Sequence, residues 1–288
     1  MKAIVCSVLF VIASVSLAMA QGTYTQIDFP GSVDTLCEGI NHAGDITGGF
    51  DDASFVRHGF LLRAGNYSTI DYPGALLNTT AYGINDANQI VGSTLTSSGE
   101  IGFVYDVTTT MFASVIYPNA ATTIAYGINN LGAISGTFQS KGNLERGFEL
   151  LGSAYHNVAF PHATYSAVFG IAGSGVVVGT AGQNSGGLIF LFSHGSYTKV
   201  ALGGTPGAVA YGITSQPDAL VGSFNPTPTT SAGFVYQNQA LVTIQFPGSS
   251  YTTATGINDV GQVVGYFVDS SGKPHGFIWT PPSDAATK

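Results

Sequence analysis

Between residues 24 and 280 apolar residues come in short strand-like stretches separated by Gly, Pro, Asn and Ser, and no segment there carries the 3.6-residue spacing of an amphipathic helix. Residues 66–106 show the pattern most plainly. Strands are predicted over 67–72, 79–84, 89–94 and 101–105. Pro73-Gly74 closes the first, because proline lacks a ladder N–H and glycine lets the chain reverse. Pro30, Pro118, Pro161 and Pro247 mark the same place elsewhere. Between the second and third strands lies Asn85-Asp86-Ala87-Asn88, a hairpin turn in which Asn88 takes the left-handed conformation, as Gly44, Gly132, Gly175 and Gly261 would in the other copies. Ser97-Ser98-Gly99 makes the next turn. In the third strand an aliphatic residue (Ile46, Ile90, Ile134, Val177, Leu220, Val263) is followed two positions on by glycine, so both lie on one face, and the glycine is expected to admit a neighbouring sheet. Val91, Val178, Val221 and Val264 make the other face apolar too, which predicts sheets covered on both sides.

The pattern repeats. Gly39-Ile40, Gly83-Ile84, Gly127-Ile128, Gly170-Ile171, Gly212-Ile213 and Gly256-Ile257 follow one another at intervals of 44, 44, 43, 42 and 44 residues. Gly48, Gly92, Gly136, Gly179, Gly222 and Gly265 recur in step. About eleven residues after each comes a phenylalanine: Phe60, Phe103, Phe148, Phe190, Phe234 and Phe277. A four-stranded unit of this size cannot bury two faces alone. Six such repeats of about 44 residues, four strands each, therefore predict an all-β, six-bladed β-propeller over residues 21–280, with an open β-solenoid as the alternative. The repeated phenylalanines are expected between adjacent blades in either case.

The repeat resembles the bacterial HAF-type extracellular repeat family, in which a His-Ala-Phe motif follows a Gly-Ile-Asn...Gly-x-Val-Val-Gly core. Residues 256–265 match that core best, and the name motif is present as His58-Gly59-Phe60 and His275-Gly276-Phe277, with glycine for alanine. The other copies place Ile101, Arg146, Leu188 and Ala232 where the histidine falls, and Ala172 and Thr214 replace the asparagine of the fourth and fifth. The resemblance covers nearly all of residues 24–280 and implies secretion from a bacterium, without a known reaction.

Compartment follows from the N-terminus. Lys2, an apolar run over residues 4–17 and Ala18-Met19-Ala20 read as a secretory signal peptide over residues 1–20. The run is shorter than the ~20 apolar residues of a membrane span, so no membrane insertion is expected after its removal. Cys37 is then the one mature cysteine, expected to be a small buried thiol. Residues 281–288 read as a disordered tail, and the protein is expected in the periplasm or outside the cell.

Only 8% of residues are charged and the net charge is -8, which excludes the basic surface that nucleic acid requires. The acids are uneven, with twelve Asp/Glu against four Lys/Arg over residues 24–154 and three against two over 155–280. His42, His58, His156, His162, His194 and His275 show no short ligand spacing, and only His156 and His162, flanking Phe160-Pro161, are close in sequence. Asp45, Asp51 and Asp52 suggest calcium, yet at ~3.3 Å per residue Asp45 and Asp51 stand about 20 Å apart along one strand. Asp28 and Asp71 recur at one place in only two units, where Ile116, Ala159, Ala201 and Gln245 stand in the others. Sialidase-type Asp boxes and a Gly-x-Ser-x-Gly elbow are absent.

No catalytic residue, metal ligand or cofactor is therefore assigned, and the ligand-binding residues stay open. The reading is a non-enzymatic propeller that binds a protein or polysaccharide partner through blade loops, with Tyr67, Tyr117, Tyr165 and Tyr251 suited to sugar stacking. The alternatives are an extracellular polysaccharide hydrolase or lyase, using residues such as Asp34, Glu38 or Asp218 that differ between units, and a purely structural envelope component.

Overall fold

The computed structural model describes residues 22–282 except 143, 184, 185, 204 and 217. Residues 1–20, read as a signal peptide, and residues 283–288 of the expected tail lie outside the described residues. Among those described, the chain forms 24 strands and no helix, so none that could cross a membrane. The strands run as β1 (Thr23–Ile27), then β2 (Asp34–Ile40), β3 (Ile46–Asp51), β4 (Arg57–Arg63) and β5 (Asn66–Ile70) in one antiparallel sheet. The next holds β6 (Thr79–Ile84), β7 (Gln89–Thr96), β8 (Gly99–Asp106) and β9 (Met111–Val115). It is followed by β10 (Ala120–Ile128), β11 (Ile134–Ser140), β12 (Glu145–Leu151) and β13 (Ala154–Val158), then by β14 (Tyr165–Ile171), β15 (Val177–Gln183), β16 (Gly186–Ser193) and β17 (Ser196–Val200). An eight-stranded sheet holds the rest. It contains β18 (Val209–Ile213), β19 (Ala219–Thr227), β20 (Thr230–Gln237) and β21 (Ala240–Ile244), together with β22 (Tyr251–Ile257), β23 (Val263–Val268), β24 (Pro274–Thr280) and β1. Its two halves meet through one parallel pair, Ser231 with Tyr251.

One boundary differs from the sequence reading. Residues 67–72 were expected to open a unit, but β5 is the last strand of the preceding sheet, and the stretch that opens the first repeat, β1, pairs with β24 from Thr23–Thr280 to Ile27–Gly276. The prolines cause the shift: Pro73 ends β5 after the hairpin β4–β5 has already joined it to its own sheet. The N-terminal strand thereby closes the array by ladder bonds. β2, β6, β10, β14, β18 and β22 pack in sequence, and β22 returns to β2, so these strands surround the axis. This circuit of sheets is the arrangement of a β-propeller.

The fixed Gly and Phe are cross-strand partners. Gly48 faces Phe60, Gly92 faces Phe103 and Gly136 faces Phe148, with the same pairing at Gly179–Phe190, Gly222–Phe234 and Gly265–Phe277. All six rings are fully buried. A Cβ at Gly92 would stand 2.0 Å from the Thr80 carbonyl oxygen and 2.5 Å from Cζ of Phe103. The glycine therefore admits its own sheet's phenylalanine, which corrects the expectation that it admits a neighbouring sheet. Sheets approach at the glycine of Gly-Ile instead: a Cβ at Gly39 would be 2.3 Å from the Tyr82 carbonyl and one at Gly83 2.7 Å from that of Tyr126. The phenylalanines do fill the space between sheets, as Phe148 does with Val91 and Val115 of the preceding one.

Asparagine does two jobs at the turn that follows Gly-Ile. In Asn129 the side-chain oxygen accepts from the N–H of Leu131 and of Ala133, both at 3.0 Å, while Nδ2 donates to the Ala172 carbonyl of the next sheet at 3.0 Å. Asn85 donates likewise to Asn129 O, and Asn258 to Asn41 O. The remaining seams are crossed by His42 N to Asp86, Gly173 N to Ser215 O and Ser215 N to Asp259. Hydrogen bonds thus run around the whole mouth. Asn129→Ala takes the acceptor from the buried Ala133 N–H and the cross-sheet donor from Ala172 O and is expected to cost about 1–3 kcal/mol, read as a shift in urea midpoint; a loss under about 0.5 kcal/mol would remove Asn129 from this role.

Candidate binding sites on the axis and on the turn face

Each innermost strand carries a β-bulge just before the glycine of Gly-Ile, seen as a register break at Cys37/Gly39, Ala81/Gly83, Ala125/Gly127, Val168/Ile171, Ala210/Gly212 and Ala254/Gly256. A bulge re-aims the extra side chain, and here it sends Glu38, Tyr82, Tyr126, Phe169, Tyr211 and Thr255 into the axial channel. With Thr253 and Tyr266 they line a cavity of about 220 Å³. Neighbouring rings touch in an unbroken arc: Tyr82 to Tyr126 at 4.8 Å, Tyr126 to Phe169 at 5.1 Å and Phe169 to Tyr211 at 5.2 Å between centroids. Glu38 is the one acid in the circuit.

The Glu38 carboxyl is accessible only to this narrow channel and is otherwise enclosed by protein. Burial pushes its pKa up to about 7, opposed by the Arg57 guanidinium. Arg57 cannot neutralise it fully, because it is held by Asp34 at 3.1 Å and by Asp51. Burial also pushes the Tyr82 hydroxyl up to about 12 and raises those of Tyr126, Tyr211 and Tyr266. Beyond this ring toward the Gly-Ile turns, the channel narrows through the glycines and the isoleucines to Asn41, Asn85, Asn129 and Asn258.

A second cavity, of about 790 Å³, opens on the turn face between the sheets of β10–β13 and β14–β17. Tyr117, Tyr155 and Phe192 form aromatic walls, Glu149, His156, Asn157 and His194 supply polar groups, and the turn at Gly173-Ser174-Gly175 closes one side. Glu149 and His156 are brought together as cross-strand partners in β12 and β13. Burial holds the Glu149 carboxyl above the usual carboxylate range, with His156 and His194 pulling it back. Leu131 and Leu151 are exposed at the rim.

Sequence-named residues are distributed differently. Of the four tyrosines, only Tyr117 lines the large cavity, stacked on Phe138 at 3.6 Å; Tyr67 packs between Phe29 and Phe60, and exposed Tyr251 lies 6.2 Å from Tyr266. His156 joins Glu149 and His194 instead of His162, which sits in the turn after Phe160 with φ +61°. Asp45 is bound by Arg63 at 2.8 Å, Asp51 by Arg57, and Asp52 accepts the N–H groups of Ser54 and Val56. Among the described residues no three His, Cys, Asp or Glu side chains converge as metal ligands. Cys37 is fully buried and its thiol pKa is raised by that burial. Asp218 accepts from Thr214 at 2.6 Å in its turn. The two histidines of the His-Gly-Phe motif take as partners the two aspartates that recur: His58 lies 2.7 Å from Asp71 and His275 2.8 Å from Asp28. Each histidine also stacks on a phenylalanine, Phe50 or Phe267. Both members of each pair occur only in these two sheets, which is the signal that sequence reading passed over.

No protein family profile and no curated protein matches the chain. Solved structures do. TolB from Acinetobacter baumannii aligns with a TM-score of 0.58 at 8% identity over 82% of this chain, and the chain spans 64% of that structure's length. AofleA from Arthrobotrys oligospora aligns at 0.54 and 12%, covering 89% of this chain and 88% of its own. The fungal lectin of Aleuria aurantia, a six-bladed β-propeller that recognises fucose, aligns at 0.52 and 13%, covering 88% of this chain and 98% of its own. At these identities the likeness defines the fold alone. The chain is a β-propeller.

Proposed function

We propose that this chain is a secreted, non-enzymatic propeller of six blades that binds an external partner on its turn face, and that the partner is a polysaccharide. The eight-stranded sheet divides at its single Ser231–Tyr251 pair into two four-stranded blades, which supports the count of six. The reading of residues 1–20 as a signal peptide and the resemblance to the HAF-type repeat support secretion from a bacterium.

The observation that carries the proposal is the 790 Å³ cavity between the third and fourth sheets. Its size fits a short oligosaccharide, its aromatic walls suit the apolar faces of sugar rings, and its carboxylate, imidazoles and amide suit hydroxyl groups. Glu149 is the one carboxylate among its described lining residues, whereas hydrolysis of a glycosidic bond ordinarily uses a pair ~5–9.5 Å apart. His156 and His194 are exposed, so replacing both with alanine leaves the core untouched. On a glycan array the wild type is expected to bind a defined subset of glycans. The His156→Ala/His194→Ala variant is expected to lose about tenfold or more in affinity with an unchanged melting temperature. Binding that survives the double change moves recognition elsewhere, and sugar release by the wild type removes the non-enzymatic reading.

A further inference from the structure

We propose that the axial cavity is a binding site for an organic ammonium group, held between the aromatic arc of Tyr82, Tyr126, Phe169 and Tyr211 and the carboxylate of Glu38. The site is separate from the turn-face cavity, and no residue lines both.

Three observations converge on this ligand class. The first is the arc itself. Four rings from successive sheets, each within 4.8 to 5.2 Å of the next, present electron-rich π systems to one enclosed space. Aromatic walls of this kind attract alkylammonium heads through the ring quadrupole, and more strongly where water is excluded. The second is the placement of the acid. Around the circuit of β2, β6, β10, β14, β18 and β22, the strand of Glu38 stands opposite that of Phe169, so the carboxylate faces the middle of the arc across the cavity. Among the described residues Glu38 has no hydrogen-bond or ion-pair partner, since the nearby Arg57 is taken up by Asp34 and Asp51. A carboxylate left in such a setting needs a cation. The third is the surrounding field. Glu100 and Glu145 lie close enough to raise the Tyr126 hydroxyl further, and together with the net charge of -8 they draw cations toward the opening and repel anions.

A cavity of about 220 Å³ admits an alkylammonium with a few carbons but not a folded peptide. The fitting ligands are therefore a small amine or a single lysine side chain inserted from outside. The carboxylate and the tyrosine hydroxyls favour an ammonium that keeps N–H donors over a fully methylated one.

The pH dependence has a definite sign. Glu38 gains charge as pH rises through about 7, so ammonium binding strengthens from acid to mildly alkaline solution. The groups facing it are Arg57 from β4, Tyr82 from β6, Tyr126 from β10, Tyr211 from β18 and Tyr266 from β23, with Glu100 and Glu145 beyond. Burial raises Glu145 as well, so the Glu38→Gln variant is needed to assign the effect.

The test is calorimetric titration of the mature protein with n-butylammonium, tetramethylammonium, n-pentanol as the uncharged counterpart, and a blocked lysine peptide. At pH 8 the wild type is expected to bind n-butylammonium saturably and more tightly than tetramethylammonium, and to ignore n-pentanol. Glu38→Gln and Tyr126→Leu are each expected to weaken binding by about tenfold, while the His156→Ala/His194→Ala protein binds as wild type. Wild-type affinity is expected to fall at pH 5.5 and that of Glu38→Gln to stay level. Binding of the lysine peptide as well as butylammonium assigns a protein side chain as the source, and binding of butylammonium alone assigns a free amine. The proposal is overturned by the absence of saturable heat with either, by equal binding of n-pentanol, or by unchanged affinity in Glu38→Gln.

Discussion

Phe103→Ala is expected to destabilise the protein by about 3–5 kcal/mol, and Gly92→Ala by a comparable amount for the opposite reason. The Phe103 ring is fully buried, with Tyr72 at 5.9 Å and Phe112 at 5.4 Å, and it lies against the backbone of Gly92, its cross-strand partner. Removing it opens a hole whose walls are strands locked in their ladders, so collapse is limited. Adding a methyl at Gly92 does the reverse, placing Cβ 2.0 Å from the Thr80 carbonyl oxygen and 2.5 Å from the ring. Because the shorter contact is with backbone, the double variant does not recover what Gly92→Ala loses. Urea unfolding of both single variants and the double measures this directly. A cost below about 1 kcal/mol for Phe103→Ala, or full rescue in the double, would falsify the account of the Gly–Phe pair.

Glu38→Gln is expected to stabilise the protein in alkaline solution and to leave it unchanged in acid. The folded-state pKa of about 7 stands above the ordinary 4.5 of a glutamate, so the native state holds this proton more tightly than the unfolded chain. Below about 4.5 both states are protonated and the group contributes nothing to the difference. As pH rises from there to about 7, native stability declines, and above 7 the whole penalty applies. It amounts to roughly 3 kcal/mol. Glutamine keeps the shape without the charge and escapes that decline. Measured between pH 4.5 and pH 8, the gap in urea midpoint between variant and wild type is expected to widen steadily; parallel profiles would mean that Glu38 is not enclosed as described. A carboxyl kept at such a cost on the axis accords with a role in binding.

Much of this architecture was legible along the chain. The left-handed turn residue is Asn88 at φ +63° where the other copies place glycine, and β6 runs over the residues that alternation marked. The burial of Phe60, Phe103 and their equivalents followed from their recurrence. The errors share one cause: a repeat in sequence has no intrinsic starting point. Taking the unit to begin before Pro73 put β5 in the wrong sheet, and reading Gly92 as a contact between sheets overlooked Phe103 across its own ladder. The functional residues were harder still. Glu38 stood among several candidate acids, and for His156 the sequence offered only His162 as a close neighbour, because nearness along the chain was the only measure at hand.

The sequence by itself determined the strands, their turns, the repeat and the residues that every unit must bury, because these depend on interactions between neighbours a few positions apart and on a pattern copied along the chain. Tertiary structure alone decided which strand surrounds the axis, that the N-terminal strand completes the sheet of the C-terminal one, and that bulged side chains from successive sheets converge in one cavity. Those outcomes depend on groups up to about 250 residues apart, such as Thr23 against Thr280. Such groups meet only when the ring closes, and no local preference records that closure.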